Sequence, residues 1–188
     1  IEKCKGAVVS APILLGAVRI EHVQDSFIFL GPCCTSVYLE SCSGCPILCS
    51  SHQLRIHTCT DTTFYVRING HPIIEDCSSL RFAPYVLSYE GIDQHMDEAN
   101  LTSASCWSNV IDFRWHKKTQ SPNWRCLEKE HWKPSVVPDN WAFEEVMQDG
   151  NQSQQDAHAT VFKAADAAAA VAQTEEENDG DGDDDDEI

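Results

Sequence analysis

The stretch "SHQLRIH", residues 51–57, holds the side chains of this chain best suited to chemistry. Arg55 carries a planar, permanently charged guanidinium, whose fork matches phosphate oxygens better than a lysine does. Gln53, two residues earlier, can contact or orient a water or a phosphate oxygen. A cation here stands out, because the chain has 13 Lys and Arg against 30 Asp and Glu. His52, His57 and Cys49 lie nearby in sequence, but no nucleophile–base pair is readable. On a strand the two histidines have opposite parities, and Cys49 is expected in a turn. No Ser/His/Asp order and no paired-carboxylate cleft can be argued. Neither nucleotide-cradling pattern, G-x-x-x-x-G-K-[ST] or G-x-G-x-x-G, occurs. The chemistry on offer is donation of positive charge to a partner's anion.

What must hold Arg55 is a repeat. Four segments stack in register: "VRIEHVQDSFIF" from Val18, "VYLESCSGCPIL" from Val37, "LRIHTCTDTTFY" from Leu54 and "PIIEDCSSLRFA" from Pro72, with starts 19, 17 and 18 residues apart. Their third column is Ile20, Leu39, Ile56 and Ile74, and their sixth is Val23, Cys42, Cys59 and Cys77. A partial copy, "CKGAVV" from Cys4, extends the sixth column by one coil. A period near 18 is too short for helical repeat units, which run to roughly 33 residues or more. It suits a coil of three short strands joined by turns rich in Gly, Asp, Ser and Pro. The expected fold is all-β: a right-handed parallel β-helix, a three-faced solenoid whose coils stack about 4.8 Å apart. Strands of four or five residues are expected, with a C-terminal capping segment and an acidic, disordered tail.

Period-2 alternation sends Leu54 and Ile56 inward and Gln53, Arg55 and His57 outward. Arg19, Tyr38 and Ile73 share the column of Arg55; Glu21, Glu40 and Glu75 share that of His57. Arg55 is thus expected diagonally between Glu40 and Glu75. Spacing alone leaves two readings. One is a surface salt bridge, worth about 0–1 kcal/mol. The other is a guanidinium held extended by carboxylates for an anionic group on a partner.

The sixth column reads as an interior ladder of free cysteines acting as small hydrophobes. Cys42, Cys45 and Cys49, with Cys33 and Cys34 nearby, could be imagined as zinc ligands, but C-x2-C occurs once, between Cys42 and Cys45, and is followed by an x3 spacing within the strand pattern. No metal is expected, and disulfides are not needed in a reducing compartment. "GDGDDDDE" lacks the closing bidentate Glu of a calcium loop. Acid is concentrated over 149–188, with 13 acidic residues and one basic; residues 1–148 hold 17 acidic and 12 basic, a net of −5 rather than −17. No basic stripe suits nucleic acid. No apolar run approaches the ~18 residues of a membrane span. The repeat lapses after Ser88. "YEGIDQHMDEANL" reads as a short helix, and Trp107, Trp115, Trp124 and Trp132 read as packing for a cap. The domain is expected over 1–132, a linker with one helical turn near "WAFEEVM" over 133–150, and an Ala-rich then acidic tail over 151–188.

"QLRIH", "PIIEDCSSLRFAPY", "DFRW" and "SPNW", in this order, resemble the C-terminal domain of the tubulin-binding cofactor C family from about Ile1 to Trp132. The X-linked retinitis pigmentosa protein is a relative sharing the β-helix and the Q-x-R element, but "SPNW" after "DFRW" is more like cofactor C. The resemblance implies a β-helix that activates a GTPase without chemistry of its own. Arg55 would be an arginine finger supplied in trans, with Gln53 as its companion. Glu75 would be the acidic residue positioning them, and Phe113 a partner contact. The implied partner is β-tubulin held with cofactors D and E, from which GTP hydrolysis releases αβ-tubulin in the cytoplasm. GTP and its Mg²⁺ would belong to the partner, and no cofactor is expected on this chain. An Arf-like small GTPase, activated or merely bound, is the alternative partner. The family's helical N-terminal domain is not in this sequence, which begins at Ile1 rather than Met.

Overall fold

The computed structural model describes residues 1–86 and 88–133, together with the backbone of two further strands, Trp141–Glu145 and Thr160–Ala164. Nine strands form one parallel system: β1 (Val8–Ala11), β2 (Val18–Glu21), β3 (Phe27–Glu40), β4 (Pro46–His57), β5 (Thr63–Ile68), β6 (Ile73–Glu75), β7 (Leu80–Pro84), β8 (Ile111–Asp112) and β9 (Trp124–Cys126). They wind as a parallel β-solenoid with three faces. On the first, Ile28, Ile47, Phe64, Phe82 and Cys126 lie on successive rungs. Leu15, Cys33, Ser51 and Ile68 follow one another on the second. The third carries Arg19, Tyr38, Arg55, Ile73 and Ile111.

The register is the one the repeat predicts. Ile20, Leu39, Ile56 and Ile74 pair in line, and all four are buried. Between the third face and the next first face the chain turns twice through left-handed backbone. His22, Ser41, Thr58 and Asp76 form one positive-φ column, and Asp25, Gly44, Asp61 and Ser79 another. Short polar side chains and glycine tolerate this conformation best. Between the two columns sit the inward Val23, Cys42, Cys59 and Cys77.

The strands are longer than expected: β3 has 14 residues and β4 has 12. They run from the first face through the second to the third, around two corners, without a break. The corners coincide with register shifts, between Phe29 and Pro32 and between Cys33 and Ser36. Bulges of this kind bend a strand and accommodate proline. Gly31 is required there, because a Cβ would lie 2.3 Å from the Ile13 carbonyl oxygen. Cys49 consequently lies inside β4, not in a turn, and burial pushes its thiol well above the usual range.

The solenoid interior packs Ile, Leu, Val, Phe and Cys side chains. A second cluster lies outside the first face. There Phe27, Phe29, Leu48, Tyr65 and Ala83 are covered by Val86, Tyr85, Tyr89, Leu127 and Trp132. The expected short helix is α1 (Ile92–Glu98). Trp107 and Trp124 pack against the interior and Trp132 against the outer cluster, as cap anchors. The cap also hides a further rung. Ile73 and Ile74 pair with Ile111 and Asp112, and Leu80 to Phe82 with Trp124 to Cys126. The repeat therefore resumes after Ser88; intervening sequence conceals its period.

All ten cysteines are free, and Cys33, Cys42, Cys45, Cys49, Cys59 and Cys77 are buried. We expect a thiol reagent such as DTNB to modify Cys4, Cys34, Cys106 and Cys126 in the native protein. The other six should react only on denaturation. Rapid native titration of all ten would contradict the ladder.

Most of the linker and tail expected over 133–150 and 151–188 lies outside the described residues, as does the Ala-rich run beyond Ala164. The helical turn expected near "WAFEEVM" is corrected. Trp141–Glu145 is a strand (β10), antiparallel to Thr160–Ala164 (β11), with Phe143 opposite Phe162. Trp141 and Phe143 in "WAFEE" and Thr160, Val161 and Phe162 in "TVFKA" are residue types that favour strand over helix.

Candidate functional site

Arg55 lies in β4 on the third face, between Tyr38 and Ile73 on the neighbouring rungs. Its backbone is thus held from both sides. Leu54 and Ile56 are buried beside it, while Arg55 itself is exposed. Gln53, also exposed, stands opposite Ser36. The carbonyl of Gln53 accepts a hydrogen bond of 2.9 Å from the Ser51 hydroxyl. Both side chains therefore project from one short, rigid piece of strand.

The expected clamp of Arg55 by Glu40 and Glu75 is not present. Glu40 lies 3.7 Å from the Arg19 guanidinium and 4.0 Å from His57, and accepts a hydrogen bond from the Tyr38 hydroxyl at 3.0 Å. Glu75 is paired with Arg114 at 3.1 Å, and Asp76 with the same guanidinium at 3.2 Å. Arg114 belongs to the "DFRW" stretch, which reaches this face only through the hidden rung. Among the described residues Arg55 makes no ion pair, and neither Arg55 nor Gln53 makes a side-chain hydrogen bond. Four of the other arginines are engaged: Arg19 with Glu21, Arg67 with the Leu101 and Ser103 carbonyls, Arg81 with Asp61, and Arg114 as above. The acids of the third face thus neutralise the cations around Arg55 and leave its own fork vacant.

Phe113 falls in the column of Glu75: its N–H donates to the Ile74 carbonyl at 2.9 Å. Its side chain is 62% exposed, and Ile111, two residues earlier in β8, is 43% exposed. Arg55, half-buried Ile73, Ile111 and Phe113 therefore make one outward surface, cationic at one side and apolar at the other. All four of Gln53, Arg55, Glu75 and Phe113 share this face. Glu75 meets Arg114 there rather than Arg55.

Ligand atoms of His57, Glu75 and Asp76 lie within 4.8 Å of one another. The two carboxylates already hold Arg114, so this group forms an ion-pair network, and a metal would have to displace a guanidinium. No helix of the described residues is long and apolar enough to cross a membrane.

Sequence reasoning missed Asp112. Its carboxylate accepts hydrogen bonds from the Ser121 hydroxyl at 2.6 Å, the Asn123 amide at 2.8 Å and the Arg114 N–H at 3.1 Å. It thereby ties "DFRW" to "SPNW"; the shared Asp, Ser and Asn in two adjacent motifs were the only signal. Burial pushes the Asp112 carboxyl up, but these hydrogen bonds outweigh burial and hold it below the usual carboxylate range. With the folded value depressed, its stabilisation is complete above the ordinary value of 3.8 and is lost as pH falls through the folded value. Asp112→Ala should destabilise the protein by about 1–3 kcal/mol, because donors lose their acceptor. Chemical denaturation at neutral pH measures this, and an unchanged midpoint would rule the tie out. Beside Asp112 a cleft of about 320 Å³ opens between Ile111, Trp115, Lys118 and Trp124.

The family described as "Tubulin binding cofactor C" matches residues 1–113. "Tubulin-folding cofactor C" of Arabidopsis thaliana is 38% identical over 117 residues, covering 62% of this chain and 34% of the relative. "Tubulin-specific chaperone C" of Bos taurus is 38% identical over 115 residues, covering 60% and 33%. The chain thus spans about one third of the length of the curated relatives it matches. Among solved structures, "Tubulin Binding Cofactor C from Leishmania major" aligns with a TM-score of 0.58 at 24% identity, covering 72% of this chain and 96% of that one. That likeness is one of fold.

Proposed function

The chain belongs to the tubulin binding cofactor C family, and from that premise we propose that it activates GTP hydrolysis by β-tubulin. In this reading Arg55 enters the partner's nucleotide site as an arginine finger. The observation that carries it is the vacancy of Arg55: an exposed guanidinium on a backbone fixed by two neighbouring rungs, with every nearby carboxylate engaged elsewhere. A structural arginine on this face would be expected to take one of those acids.

Phosphoryl transfer spreads negative charge over the γ-phosphate oxygens. A bidentate guanidinium meets that charge with two parallel hydrogen bonds. GTP and Mg²⁺ are the partner's; this chain supplies the cation and the surface that aims it. Gln53, two residues along the same strand, stands where it can orient the attacking water or a phosphate oxygen. Ile111 and Phe113 supply an apolar contact that desolvates the rim. Arg114 and Glu75 brace one another below it. Cofactors D and E would hold tubulin in the responsive state, in the cytoplasm, and hydrolysis would release αβ-tubulin.

The test is GTP turnover by tubulin with cofactors D and E, with this chain or its Arg55→Ala variant added. Equal stimulation by both would overturn the finger. A pull-down probed for tubulin and for Arf-like GTPases decides between those two partners; recovery of an Arf-like protein without tubulin would reassign the partner while leaving the role of Arg55 to be measured there.

A further inference from the structure

The folded part of the chain has a sharp charge division. Residues 114–133 contain six Lys and Arg against two Glu, whereas 1–113 contain six against twelve Asp and Glu. Most of this positive charge is unspent. Lys117, Lys118, Arg125 and Lys129 make no ion pair among the described residues. Lys117 lies over the Trp115 ring, 4.8 Å from its centre. Lys118 lines the 320 Å³ cleft with Trp115 and Trp124. The one carboxylate on the cleft wall, Asp112, is consumed by Ser121, Asn123 and the Arg114 N–H. Glu75 and Asp76, on the neighbouring rung, are consumed by Arg114. What faces solvent around Trp115 is therefore cationic, on a protein of net charge −17.

The complement lies in the same chain. Residues 174–188 hold ten Asp and Glu and no Lys or Arg. About 40 residues separate this stretch from Lys133, and an extended chain covers ~3.3 Å per residue, far more than the return requires. Tethering raises its local concentration to the order of millimolar, so modest affinity per charge suffices. We propose that the acidic stretch 174–188 is an internal ligand of the cap, seating carboxylates on Lys117 and Lys118 at the mouth of the cleft. Docked there, it lies beside Ile111, which lines the cleft, and the adjoining Phe113, and screens the apolar side of the Arg55 face. An acidic partner segment has to displace it, so the tail sets a threshold for partners that bring enough negative charge of their own. The binding claim stands independently of what Arg55 does.

The test uses the whole chain and a variant in which the ten acidic residues of 174–188 are changed to Asn or Gln. The probe is a fluorescein-labelled peptide of residues 174–188, followed by anisotropy in low salt. The neutralised chain should bind the peptide, and the native chain, occupied by its own tail, should bind about tenfold or more weakly. Lys117→Ser with Lys118→Ser in the neutralised background should abolish binding with the circular dichroism spectrum unchanged, and 0.5 M NaCl should do the same. Carbodiimide cross-linking of the native chain gives a second readout, expected to join tail carboxylates to Lys117 or Lys118 within one chain. Equal peptide binding by native and neutralised chains would overturn the proposal. So would binding that survives the lysine changes, or cross-links found only between copies.

Discussion

Arg55→Ala is expected to lower stimulated GTP turnover on tubulin by about 10³-fold or more, the usual worth of a finger supplied in trans. The same variant should unfold within about 0.5 kcal/mol of the parent, because an exposed side chain without a partner contributes little to stability. That contrast gives the experiment its force. Were Arg55 one half of a surface salt bridge, its removal would leave activity intact and cost up to about 1 kcal/mol; the carboxylates that could have held it are 3.7 Å from Arg19 and 3.1 Å from Arg114 instead. Arg55→Lys is the sharper probe. It keeps the charge, loses the bidentate fork, and should recover only a minor part of the rate. Full rescue by lysine would mean that charge alone steers the partner and that no fork is needed.

Phe64→Ala is expected to be the most damaging single truncation in the solenoid. Phe64 is fully buried on the first face, between Ile47 and Phe82. It stacks on Phe82 with centroids 5.3 Å apart, and Phe82 meets Trp124 edge-on at 6.1 Å. The interior thus ends in three aromatic layers, the last one supplied by the cap. Phe→Ala at such a site costs about 3–5 kcal/mol, a large share of a domain's usual stability. In a stacked architecture each coil rests on its neighbours, so a cavity at Phe64 also loosens Phe82 and the seat of Trp124. Thermal unfolding should move down by about 10 °C or more. A shift under about 3 °C would show that the layers can close over the gap.

Much of this was legible in the sequence for one physical reason. Parallel in-register stacking puts equivalent residues of every coil in the same environment, so the columns headed by Ile20 and Val23 could be read directly. The inward direction of Leu54 and Ile56 followed, and with it the outward direction of Arg55. Pairing on the outer surface was not legible, because an exposed arginine reaches several carboxylates and the choice depends on which other cations arrive. Arg114 arrives from a rung whose period is masked by intervening residues. Asp112 escaped notice for the same reason: its partners Ser121 and Asn123 are its neighbours only after the chain has returned to the solenoid. The length of β3 and β4 was missed because a short repeat leaves room for strands of only four or five residues between turns, whereas bulges let the strands continue around the corners.

Ile111 pairs with Ile73 although it comes 38 residues later rather than about 18. The coil therefore behaves as a reading frame that resynchronises after an interruption. Some twenty extra residues leave at the corner after Pro84 and come back in phase, and no column on the third face is displaced. A single residue added within 53–57 would do the opposite, turning Arg55 into the core and Ile56 to solvent. The corner is thus a natural splice point, where a foreign loop or a second recognition element can be written into the molecule while the aim of the arginine is preserved.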